Sequence, residues 1–248
     1  MNKAKIIAIT IIVAMSAIVI GGLYIVYNRQ KGAHGVKIER ERYPICGIDI
    51  SAHNGKIDFS GIVADSIDFV MIKATEGTNF KDSKFHDNYR MAREAGLKVG
   101  AYHFFRFDTD GEMQGLNFIH TIRGKHFDFP LVIDIEEWGN AKNTSTQLIV
   151  ERLQALIDHL ETECYSVMLY TNKDGYSRFI RNRFEDYPLW ICSFTDPPLD
   201  DDERWTLWQY SHWGVVDGCD HVVDLNTFNG SREHWDSWIN NNSASPSL

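Results

Sequence analysis

From Tyr43 onward, short and almost uninterrupted apolar runs alternate with helical patterns, and that alternation leaves few folds open. The runs fall at residues 45–50, 69–73, 98–104, 131–135, 167–171, 189–192, 206–210 and 221–225, each the length of a strand. Helical patterning occupies 83–95, 112–122, 147–163 and 176–184 between them. Near-continuous apolar strands separated by helices belong to a parallel sheet covered on both faces. Eight of them in about 200 residues predict an α/β chain closed into an irregular TIM-like β/α barrel, at the short end of that fold's range. An open doubly wound sheet is the alternative, but no G-x-G-x-x-G follows the first strand.

In such folds the chemistry gathers at the carboxyl ends of the strands. Four of the predicted strands end in acids: Asp49 in Gly47-Ile48-Asp49, Glu76 in Lys73-Ala74-Thr75-Glu76, Asp134 and Glu136 in Ile133-Asp134-Ile135-Glu136, and Asp224 in Val223-Asp224-Leu225. Asp134 and Glu136 are two apart, so an extended chain projects both from one face. Two carboxyls entering a barrel mouth repel one another and lose water, which pushes one of them up until it holds a proton near neutral pH. Glycoside hydrolysis uses such a pair, one member protonating the leaving oxygen while the other supports the cationic transition state or activates a nucleophile. A lone acid after a strand is more often a helix cap; four acid-bearing ends, one with a same-face pair, make a site. Tyr102, Tyr170, Trp190 and Tyr210 fall at or near strand ends, where aromatic faces meet sugar rings, although barrel aromatics are also core.

Other chemistries lack their patterns. There is no H-E-x-x-H, no G-x-S-x-G elbow and no Walker A sequence, so no metal and no cofactor is expected. His103 reads as a hydrogen-bonded strand residue. Cys46, Cys164, Cys192 and Cys219 form no C-x-x-C pair and read as small core residues, with one or two disulfides open to an oxidising compartment.

The charge is split. The first 42 residues carry a net +5 and the remaining 206 a net −14. A body that acidic is a poor ligand for nucleic acid, whose binding rests on Lys and Arg at phosphates. Within the basic leader, the run from Ile6 to Tyr27 is 22 residues without a charge. As a helix it spans roughly 33 Å, enough for one transmembrane pass. It exceeds the usual signal-peptide core, and its small residues lie inside it rather than after it; a cleaved signal is the alternative. The expected domains are the basic tail and anchor at 1–27, a polar linker at 28–42, the barrel at 43–240 and a disordered tail at 241–248. Basic residues flank the run on both sides, so charge does not orient it.

The body resembles a known family, the Chalaropsis-type lysozymes of glycoside hydrolase family twenty-five, which are N-acetylmuramidases. The similar stretches are GIDISAHNGKIDF, DFVMIKATEGTNFKDSKFHDNYRMAREAGLKVGAYHFF, PLVIDIEEW, LYTNKDGY, PLWICSF, WTLWQYS and VDLNTF, in family order over nearly the whole body. The resemblance implies an irregular TIM-like barrel that hydrolyses the β-1,4 bond between N-acetylmuramic acid and N-acetylglucosamine. It implies Glu136 as general acid, with Asp134 as the partner that orients the 2-acetamido group, stabilises charge or acts as nucleophile. Asp49 and Asp224 become flanking acids of that site and Glu76 another acidic position in the cleft; Glu76, Tyr102, Tyr170, Trp190, Gln209 and Tyr210 are the candidate substrate contacts. The partner it implies is a peptidoglycan glycan strand, met by a monomer whose body lies on the extracytoplasmic side because its substrate is there. Cys192 departs from the small residue more usual at its position. A chitinase-like barrel is a second reading, against which the usual D-x-x-D-x-D-x-E run is absent; a non-catalytic glycan-binding barrel is a third.

Overall fold

The computed structural model describes residues 35–199 and 205–243. The run from Ile6 to Tyr27 lies outside them, and among the described residues no helix is long and apolar enough to cross a membrane. The strands are β1 (Cys46–Ile50), β2 (Phe69–Glu76), β3 (Phe80–Lys81), β4 (Lys98–Phe104), β5 (Leu131–Asp134), β6 (Val167–Asn172), β7 (Leu189–Cys192), β8 (Leu207–Gly214) and β9 (Val223–Phe228). The helices are α1 (Phe59–Ala64), α2 (Phe85–Glu94), α3 (Gly111–Ile122), α4 (Thr146–Thr162) and α5 (Arg232–Asn242). Side-chain oxygens of Asp58, Asp110, Ser145 and Ser231 cap the first turns of α1, α3, α4 and α5.

Eight strands close into a barrel in the order β1-β9-β8-β7-β6-β5-β4-β2, sealed by β1–β2 pairing, and β3 forms a short hairpin on β2. The expected barrel is present, but it is not all parallel. β9 runs antiparallel to both β8 and β1. The segment 215–222 between β8 and β9 holds no helix, and a parallel return needs a longer crossover, so the chain reverses. The expected helix at 176–184 is instead a single turn at Lys173–Gly175 running into a π turn at Tyr176–Ile180. Two helices escaped the periodicity. α1 is six residues long, and α5 is polar apart from Trp235, Trp238 and Ile239.

Strand alternation separates the two cores. Leu131 and Ile133 pack outward under the helices, while Val132 and Asp134 point into the barrel. The lower interior is filled by Phe69, Met71, Phe129, Met168, Leu207 and Phe228, and closed by α5 through Trp235 against Phe69 (5.4 Å between rings) and Phe129 (5.7 Å). Outside, α3 and α4 approach so closely that a Cβ on Gly111 would run into the Arg152 carbonyl. The upper interior holds no apolar plug, and its polar side chains line a cleft.

Part of the expected linker is folded onto the barrel. Gly35 bridges antiparallel to Ser211, the Val36 amide donates to the Tyr210 carbonyl at 2.9 Å, and Ile38 is buried. At the other end α5 continues to Asn242, past the expected boundary at 240. The four cysteines are free thiols; Cys46 and Cys192 are buried as expected, whereas Cys219 is half-buried and Cys164 is exposed in a left-handed turn (φ 63°) after α4.

Candidate active site

A cleft of about 1000 Å³ opens at the carboxyl ends of the parallel strands. Asp49, Glu76, Asp134, Glu136 and Asp224 all line it, together with Tyr102, Tyr170, Trp190 and Gln209. Tyr210 does not. Gln209 faces the cleft, so its neighbours on β8, Trp208 and Tyr210, face outward by strand alternation. The Tyr210 ring packs outside the barrel against Trp208, 5.8 Å away, and the expected substrate contact becomes a core residue. A bulge between Lys73 and Thr75 on β2 sends Thr75 outward and brings Glu76 to the cleft.

Asp49 and Asp224 sit directly opposite one another on β1 and β9. Gln209 Nε2 donates to both, at 2.8 Å to Asp49 Oδ2 and 3.3 Å to Asp224 Oδ2, and Asn226 Nδ2 donates to Asp49 Oδ2 at 2.8 Å. The amide nitrogen of Gln209 thus faces the acids and its oxygen faces away. That oxygen accepts from the Tyr170 hydroxyl at 2.7 Å and lies 3.0 Å from His212 Nε2, which must therefore carry the hydrogen. Trp190 Nε1 in turn donates to Asn226 Oδ1 at 2.9 Å. Tyr170, Trp190 and Gln209 are consequently the frame that holds two carboxyls in place. Burial, and then the charge of Asp224, push the Asp49 carboxyl up to about 7. Burial, and then the charge of Glu136, bring Asp224 to about 7 as well.

Asp134 and Glu136 both face the cleft from the end of β5. Asp134 is 6% exposed and its Oδ1 has no hydrogen-bond partner. Burial, and then Glu136, push its carboxyl well above the carboxylate range; burial raises Glu136 too, with the charge of Asp49 adding to it. Two coupled carboxyls so placed hold one proton between them. Ile135, between them, points outward into the core, and Glu137 turns away to pair with Arg178.

Lys73, at the end of the run 69–73, also lines the cleft, as do Arg106, Trp138, Lys173 and His212. Lys73 Nζ meets Glu76 Oε2 at 2.7 Å and Arg106 meets Glu76 Oε1 at 3.4 Å, so Glu76 is neutralised rather than free. Lys73 was visible three residues before Glu76; the others sit in loops or beyond a bulge, where period 2 has no hold. His103 is the buried strand residue expected, between Thr75 Oγ1 (2.7 Å) and Gln114 Oε1 (3.1 Å), and burial lowers it to about 4, keeping the ring neutral. Among the described residues no cluster of three or more His, Cys, Asp or Glu has the arrangement of a metal site.

The sequence profile of the glycosyl hydrolases family 25 matches residues 48–219. Lysozyme M1 of Streptomyces globisporus is 32% identical over 211 residues, spanning 79% of this chain and 71% of that protein. The N,O-diacetylmuramidase of a Chalaropsis species is 33% identical over 197 residues, spanning 72% of this chain and 93% of its own. A family 25 glycosyl hydrolase from Bacillus anthracis superposes with a TM-score of 0.74 at 33% identity, covering 82% of this chain and 96% of that one. With the profile matched across most of the barrel and the same fold in a solved member, the chain belongs to the glycosyl hydrolases family 25.

Proposed function

We propose that this glycoside hydrolase is an N-acetylmuramidase that cleaves the β-1,4 bond between N-acetylmuramic acid and N-acetylglucosamine in peptidoglycan. The observation that carries the reading is the Asp134–Glu136 pair, a buried and a half-buried carboxyl at the end of β5, both raised, in a cleft large enough for several sugars. Glu136 is the acid that protonates the glycosidic oxygen as the bond to the anomeric carbon breaks. Asp134 Oδ1, buried and unpartnered, is the acceptor for the N–H of the 2-acetamido group. That hydrogen bond favours the charged form of Asp134 and so passes the shared proton to Glu136. A sugar with an acetamido group thereby arms the acid, and water completes the hydrolysis. Asp49 and Asp224, tied by Gln209, add negative charge beside the cationic transition state.

Mass spectrometry of muropeptides after digestion tests the bond: new reducing ends are muramic acid in this reading, and N-acetylglucosamine ends overturn it. The pH profile tests the electrostatics. Glu136 must enter the reaction protonated, so the rate falls on the alkaline side as it ionises. The Asp49 charge pushes Glu136 up, and removing it makes Glu136 the stronger acid. In Asp49→Asn the alkaline limb of kcat/KM moves to lower pH; a limb that stays in place shows that the two carboxyls do not communicate.

The reading extends to location. The run from Ile6 to Tyr27 anchors the enzyme in a membrane, with the barrel on the extracytoplasmic side where peptidoglycan lies. Its support is the 22-residue uncharged run, long enough for a bilayer core. The full chain then stays in the membrane pellet through alkaline carbonate washing; release into the supernatant points to a cleaved leader.

A further inference from the structure

The aromatic residues that frame the cleft have their faces occupied. Trp190 meets Tyr170 edge-on with ring centres 4.5 Å apart, and Tyr102 at 6.4 Å. Lys73 Nζ lies 4.9 Å from the centre of the Phe104 ring, and Phe194 is met edge-on by His212 at 5.0 Å. Trp138 differs from all of these. It lines the same cleft and is 80% exposed, the only exposed aromatic among the described cleft residues. Its indole therefore offers an uncovered apolar face to the cleft.

The backbone beneath it is firmly held. Asn140 Nδ2 donates to the Glu136 carbonyl at 2.8 Å and to the Phe105 carbonyl at 2.9 Å, while its Oδ1 accepts from the Phe107 amide at 2.9 Å. Arg106 donates to the Gly139 carbonyl at 2.6 Å, and Gly139 takes the left-handed turn (φ 74°) that ends the loop. The indole is therefore presented by a braced turn, two residues beyond the acid. Preorganised aromatic faces of this kind bind flat apolar surfaces at little entropic cost, and the axial C–H face of a β-linked pyranose is one.

We propose that Trp138 is the platform of a sugar subsite beside the acid, stacking its indole on an N-acetylglucosamine ring of the glycan strand. Its place follows from the acid: Trp138 borders the cleft two residues beyond Glu136. This rests on the muramidase reading above. The subsite acts on binding of the polymer rather than on the bond-breaking step, because it touches the sugar and not the reacting atoms.

The test is steady-state kinetics of the full chain on soluble, uncrosslinked peptidoglycan strands. Trp138→Ala raises KM about tenfold, the loss of one ring stack, with kcat within about twofold. Trp138→Phe keeps most of the affinity. As a second measurement, N-acetylglucosamine shifts the tryptophan emission of the wild-type chain to the blue and leaves Trp138→Phe unshifted. Unchanged KM in Trp138→Ala overturns the subsite, as does a fall in kcat at constant KM. A Phe variant as weak as the Ala variant overturns stacking in favour of an indole hydrogen bond. If the wild-type chain releases no reducing ends, the muramidase reading fails; if it does and Trp138→Ala equals it, only the subsite fails.

Discussion

Glu136→Gln lowers the release of reducing ends from purified peptidoglycan by about 10²–10⁴-fold, the range a positioned general acid contributes. Glutamine keeps the shape of the side chain and cannot give up a proton to the leaving oxygen. Asn140 holds the Glu136 backbone carbonyl, not its carboxyl, so the loop and the barrel keep their geometry and the circular dichroism spectrum is unchanged. The substitution has a second signature. The charge of Glu136 pushes up both Asp134 and Asp224, so both titrate at lower pH in the variant, readable by carboxyl NMR. Wall clearing at the wild-type rate would remove Glu136 from the role of acid.

Asp134→Asn separates activity from stability. The acetamido N–H loses its anionic acceptor, and the loss of one such oriented group costs about 10²–10³-fold in kcat. KM changes little, since Asp134 acts on the reacting sugar. Stability moves the other way. The folded chain holds a proton on Asp134 that the unfolded chain releases in the ordinary aspartate range. Wild-type stability therefore falls as pH rises from that range through the raised value. Asparagine has no proton to lose, so the variant melts at higher temperature than wild type at pH 8, and the difference shrinks toward pH 4. Equal melting temperatures at both pH values would mean that Asp134 is not desolvated in the folded protein. A site that is less stable than its neutral replacement is a common cost of catalytic function.

The chain shows what residue order can and cannot announce. Asp134 and Glu136 were legible because they follow a regular strand, where every second side chain shares a face; both line the cleft. Asp49 and Asp224 were legible as acids within strands, but their pairing was not, because it depends on β9 running antiparallel to β1. Tyr210 was misplaced for a local reason. Gln209 beside it faces the cleft, and neighbours on a strand face opposite ways, so Tyr210 joins Trp208 in the outer core. Tyr102, Tyr170 and Trp190 were found at the cleft, yet Tyr170 and Trp190 serve it as hydrogen-bond frame. Trp138, the aromatic with a face to offer, lies in a loop where no periodicity points to it.

The sequence by itself determined the barrel, its eight strands and the acidic mouth, since each follows from local patterns of apolar and acidic residues, and its motifs carried the resemblance to the family. Tertiary structure alone decided which acids face each other, which are neutralised by Lys73 and Arg106, and which aromatic is left in water. The physical reason is range. Alternation and capping act between residues a few positions apart, whereas desolvation, charge coupling and ring packing depend on atoms that only the closed barrel brings together.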